Sequence, residues 1–116
     1  MIKFLLVALL FTFDVIASDW HEDDYVKAHC EGQIELVLTD NTRVDCVTAT
    51  HAIEYDYSYK WAEAIGQSLY YSAMTGKKAA IVLIVDPKHK GRYLKRLNKA
   101  IKDKCLQITV QTIAVR

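Results

Sequence analysis

A chain of 116 residues, 52% hydrophobic and 25% charged, suits one ordinary globular domain and leaves no length for a separate recognition domain. The net charge is only +1, yet the charges are segregated along the chain. Residues 18–56 carry ten acids against two bases, and residues 57–116 carry three acids against twelve bases. An acidic half can hold a metal ion and a basic half can hold phosphate; equally, the two halves can neutralise each other across a folded surface.

The first 17 residues, MIKFLLVALLFTFDVIA, read as a signal peptide. Lys3 precedes an apolar stretch, and Val15 and Ala17 place the expected cleavage before Ser18. The apolar run is short and Asp14 interrupts it, so no stable membrane span is expected after cleavage. The expected location is the periplasm or the medium, with a domain over residues 18–116. An oxidising compartment permits one disulfide among Cys30, Cys46 and Cys105, and sequence alone leaves the pairing open. No CxxC pair supports a zinc ribbon or a thioredoxin-like motif.

Asp19 and Glu22 suggest a capping box, and with it a helix from about Trp20 to Cys30. QIELVL (33–38) alternates as a strand, TDNT (39–42) is turn chemistry, and strands follow over 43–48 and 51–56. From about Ser58 to Thr75 the spacing becomes helical, with Trp61, Ile65, Leu69 and Ala73 recurring every four residues before Gly76. AAIVLIVD (79–86) reads as a central strand covered on both faces, ended by Pro87. A basic helix over 91–104 and a last strand over 106–115 complete the order α-β-β-β-α-β-α-β.

Acids at strand positions carry the functional signal. Glu54 and Asp56 are two apart, so they share one face of their strand. If the 43–48 strand pairs alongside, Asp45 joins them, and three crowded carboxylates call for a hard divalent cation such as Mg²⁺. Residues 60, 64, 67 and 71 share one helical stripe, which lets Lys60 and Gln67 face the same cavity. Glu35 is a further candidate ligand, though a solvated strand face explains it as well. His21, His29, His51 and His89 lack the spacing of a zinc hydrolase.

With an acid in the second strand, an acidic pair in the third and Gln67-Ser68-Leu69-Tyr70-Tyr71 in the next helix, the chain resembles the PD-(D/E)XK nuclease superfamily. The last segment matches the Q-x-x-x-Y motif of its recombination-exonuclease branch. The resemblance implies an α/β fold: an αβββαβ restriction-endonuclease-like core, a mixed central sheet flanked by helices, here with an added C-terminal α-β. It implies a DNA phosphodiester hydrolase using Mg²⁺ or Mn²⁺, with Asp45, Glu54 and Asp56 as metal ligands. Asp45, Glu54, Lys60 and Gln67 would form the catalytic set, and Tyr71, Lys77, Lys78 and Arg92 would contact DNA.

One departure stands out. The motif lysine is expected two residues after Glu54, where this chain has Asp56. A carboxylate cannot supply that positive charge, and Lys60 at the start of the following helix is the candidate substitute. The alternatives are a catalytically inactive binding protein on the same fold, or an exported α/β module with an unrelated partner. Because the chain is small, a homodimer or a protein partner is expected to contribute specificity.

Overall fold

The computed structural model describes Ala8 and residues 19–116, and the signal peptide expected over residues 1–17 otherwise lies outside the described residues. Five strands form one mixed sheet in the order β1-β2-β3-β4-β5, with β1 at Gln33–Val37, β2 at Arg43–Val47, β3 at His51–Tyr57, β4 at Lys78–Val85 and β5 at Ile108–Ala114. Three helices complete it: α1 (Glu22–His29), α2 (Trp61–Thr75) and α3 (Arg92–Asp103). The protein is therefore α/β, with the expected order of elements. β1 pairs antiparallel with β2 and β2 with β3, while β3, β4 and β5 run parallel to one another.

Helix-sized crossovers make the parallel part possible, because a parallel neighbour cannot be reached by a tight hairpin. α2 carries the chain from β3 to β4, and α3 from β4 to β5. β4 is the central strand of the parallel half. Ile81 and Leu83 face α2 and α3, where they pack with Ala64 and Leu97, and Val82 and Ile84 face Tyr25 and Val26 of α1. An unbroken apolar run is what burial on both faces requires.

Element ends obey local chemistry. Asn41 takes the left-handed conformation (φ 68°) in the β1–β2 turn, where Asp40 accepts hydrogen bonds from the Thr42 amide and hydroxyl. Gly76 closes α2 at φ 67°. Gly32 serves a different need: a Cβ there would stand 2.1 Å from the Val47 carbonyl oxygen, so only glycine lets the chain pass β2 so closely.

Two local expectations are corrected. α1 starts at Glu22 rather than Trp20, because the reach-back bond comes from Asp24, whose Oδ2 accepts from the His21 amide at 2.8 Å. Asp19 and Glu22 do not form the cap. In α2 the buried line is Ala64, Ser68 and Tyr71, while Leu69 and Ala73 of the expected every-four stripe are exposed. The stripe drifted because a helix repeats at 3.6 residues, not four.

Cys30 and Cys46 form the disulfide, with Cα atoms 5.8 Å apart, and Cys105 is free and exposed. The bridge ties the end of α1 to β2. Among the described residues, no helix is long and apolar enough to cross a membrane.

Candidate active site

The site begins where β2 and β3 part. Cys46 pairs with Ile53 and Val47 with Ala52, and the pairing goes no further. Just past the split, the Tyr55 amide donates to Asp45 Oδ2 at 2.8 Å. A backbone donor left unpaired in the interior is costly, so a short acid here replaces the missing ladder bond. The β1 side breaks at the same level. Ile34 pairs with Cys46 and Leu36 with Val44, but Glu35 between them has φ 54° and no partner across.

β2 thus changes face at Asp45. Cys46 packs with Tyr25 and Val26 under α1, whereas Val44, two residues away, packs with Tyr71 on the α2 side.

Glu54 and Asp56 lie on the face of β3 opposite Tyr55, and they are only 6% and 4% exposed. Burial, with the charge and hydrogen bond of Asp45 and the charge of Asp56 added, pushes the Glu54 carboxyl up to about 10. Near neutral pH Glu54 is a neutral acid donating to the Asp45 carboxylate. Asp45 is itself raised by burial, an effect opposed by the Tyr55 amide and by the hydrogen bond from Glu54. Asp56 is pushed up to about 7 by burial, then by Glu22 and Glu63, with Lys60 pulling the other way. Glu54 Oε2 and Asp56 Oδ2 are buried without a hydrogen-bond partner.

A fourth acid reaches the same place. Glu22, at the start of α1, acts by its charge on Asp45, Glu54 and Asp56, and its Oε1 accepts from Lys60 Nζ at 2.9 Å. That bond raises the Lys60 ammonium pKa. Sequence reasoning missed Glu22 because the expected capping box already gave it a role. The signal was present in Asp24, an equally good reach-back acid that leaves Glu22 free.

The other candidates fall on three surfaces. Gln67 is half-buried on the helical face it shares with Lys60, Ala64 and Tyr71. Tyr71 is buried among Val44, Val47 and Ala52, and its hydroxyl pKa is raised by burial and then by Glu54 and Asp45. It forms a wall of the carboxylate cluster rather than an outward platform. Lys77 Nζ donates to the carbonyls of Thr48 and Ala49 at 2.7 and 3.0 Å, which holds the β2–β3 turn. Lys78 and Arg92 are exposed, and the Arg92 guanidinium lies 4.9 Å from the Tyr93 ring centre. Glu35 pairs with Arg43 at 3.8 Å across the hairpin.

Among the described residues, no group of three or more His, Cys, Asp and Glu side chains is placed to hold a metal ion. Asp45, Glu54 and Asp56 nonetheless form an acidic cluster. It is all oxygen, it contains two orphaned buried carboxyl oxygens, and it is short of positive charge. Set against known protein families, curated proteins and solved structures, the chain matches none.

Proposed function

We propose that this protein is an exported, Mg²⁺- or Mn²⁺-dependent hydrolase of DNA phosphodiester bonds, built on a restriction-endonuclease-like core. The carrying observation is the buried cluster of Asp45, Glu54 and Asp56 at the β2–β3 split, with its two unpartnered oxygens. Supporting the fold reading, three antiparallel strands are followed by a helical crossover to a parallel fourth, with the acids on the second and third strands. The Cys30–Cys46 disulfide supports an oxidising compartment outside the cytoplasm.

Asp45, Glu54 and Asp56 would hold the ion. A bound Mg²⁺ or Mn²⁺ supplies Lewis acidity there, lowering the pKa of a bound water and offsetting charge on the phosphate. The residues themselves must do three things. Glu54 would release to solvent, as the cation binds, the proton it donates to Asp45, leaving both carboxylates as ligands. Lys60, held by Glu22 at the rim, offers positive charge to the phosphate in place of the motif lysine that Asp56 displaces. Tyr71 and the helical face around Ala64 and Gln67 close the cluster from the α2 side.

The test is cleavage of plasmid and single-stranded DNA by the oxidised protein with Mg²⁺, Mn²⁺ or EDTA. Metal-dependent cutting is expected, reduced at least a hundredfold in Asp45→Ala and in Glu54→Ala and by roughly tenfold to a thousandfold in Lys60→Ala. No cutting by a protein that melts cooperatively would refute the hydrolase. The second reading, a nuclease-fold binding protein without turnover, is favoured by one observation: Lys60 is committed to Glu22 rather than free.

A further inference from the structure

Resting on the nucleic-acid reading above, we infer that the carboxyl ends of the parallel strands form a single-stranded DNA track, in which Tyr59 stacks a base and the start of α3 holds the backbone. In parallel sheets this end is the usual place for ligands, because the crossovers leave a crevice there. A cavity of about 260 Å³ opens at that end, between Tyr57 and Tyr59 on one side and Asp86, Lys88 and His89 on the other.

Its two walls differ in chemistry. On the first, the Tyr57 and Tyr59 rings stack in parallel, with centres 5.9 Å apart and planes 6° from each other. Tyr57 is fixed by its hydroxyl, which donates to the Trp20 carbonyl at 2.9 Å. Tyr59 is 54% exposed, an aromatic surface backed by a ring that cannot move away. Lys60 Nζ stands 5.9 Å from the Tyr59 ring centre and bonds Glu22, the acid whose charge acts on Asp45, Glu54 and Asp56.

On the second wall, Asp86 is held ionised by the Lys88 amide. His89 Nδ1 is buried and has no partner among the described residues. The Asp86 carboxylate, paired with Lys88 Nζ at 3.4 Å, is an acceptor opposite a flat aromatic face, which suits a donor on the edge of a nucleobase. The His89 ring is braced edge-on by Tyr93 at 5.0 Å.

Beyond His89 the surface turns basic. A second depression, about 550 Å³, is lined by Lys88, His89, Lys90, Arg92 and Lys95. Lys88 and His89 belong to both cavities, so the base site runs directly into the basic one. α3 begins there at Arg92, and Gly91 before it offers no side-chain cap, so its amides add to the anion-attracting field. Aromatic, then polar, then cationic surface in one line is the pattern that binds single strands by stacking and charge. A duplex keeps its bases stacked inside and cannot offer one to Tyr59.

The experiment is fluorescence anisotropy of a labelled oligodeoxythymidylate of about twelve nucleotides, in EDTA so that no turnover is needed. Tighter binding of the single strand than of a duplex of the same length is expected. Tyr59→Ala should weaken it by roughly tenfold or more, while Tyr59→Phe keeps it, because the face and not the hydroxyl does the stacking. Arg92→Ala should weaken binding and flatten its salt dependence. Duplex bound as tightly as single strand, or Tyr59→Ala binding like the parent, would overturn the track. Cleavage without Tyr59-dependent binding would remove this inference and leave the hydrolase standing. Binding without cleavage would do the reverse. An oligouridylate that binds well ahead of the DNA strand would overturn the assignment to DNA.

Discussion

In EDTA, the oxidised protein should lose melting temperature as pH rises from about 5 to about 9, and Glu54→Gln should remove most of that loss. Glu54 has an ordinary value of 4.5 in the unfolded chain and is held at about 10 in the fold. The folded state therefore keeps a proton that the unfolded state releases across that window. Its stabilising effect is complete below about pH 4.5 and declines steadily as pH climbs towards 10. Each unit is worth about 1.4 kcal/mol, so the decline between about pH 5 and pH 8 is on the order of 4 kcal/mol. For a domain of this size that corresponds to about 15 °C or more. Glutamine retains the shape and the donor to Asp45 but cannot ionise. The melting-temperature gap between Glu54→Gln and the parent should therefore widen with pH. Asp56→Asn should act likewise over the lower window ending near pH 7. A gap that stays constant from about pH 5 to pH 9 would mean that Glu54 is ionised and solvated in the fold.

Reduction of the Cys30–Cys46 disulfide should have the next largest effect. The bridge spans a sequence separation of 16 residues, and closing a loop of that length contributes about 3 kcal/mol. Dithiothreitol, or Cys46→Ala, should therefore lower the melting temperature by about 12–24 °C near pH 7. Cys105→Ser should do nothing, because that thiol is exposed and unpaired. The bridge also holds α1, which carries Glu22, against β2, which carries Asp45. Loss of less than about 1 kcal/mol on reduction would show that packing of Tyr25 and Val26 alone holds α1 in place.

Periodicity made much of the architecture legible. The alternation around Glu54 and Asp56 placed both on one face, and the uninterrupted run 79–86 announced a strand with two covered faces. What escaped was whatever depended on which elements meet. The split between β2 and β3 cannot be read from either strand, because neither carries a glycine or proline to mark where the pairing stops. Nor can the face change at Asp45, which follows from a left-handed residue, Glu35, on the neighbouring strand.

Long-range partners were hidden for the same reason. Three cysteines allow three pairings, and only the return of β2 beside the end of α1 selects Cys30 with Cys46. Lys60 was legible as a helix-start cation beside the acids, but its partner Glu22 lies 38 residues away in sequence. Tyr71 was singled out only through a resemblance, and its burial among Val44, Val47 and Ala52 depended on the sheet.

Isothermal titration of Mn²⁺ into the oxidised protein near pH 8, repeated in two buffers of different ionisation enthalpy, tests the carboxylate cluster as a cation site most directly. Glu54 carries a proton at that pH and must release it to become a ligand. The expected result is binding accompanied by release of about one proton, lost in Asp45→Ala, and in Glu54→Gln weakened with no proton released. Absence of binding, or binding that Asp45→Ala and Glu54→Gln leave unchanged, would contradict it.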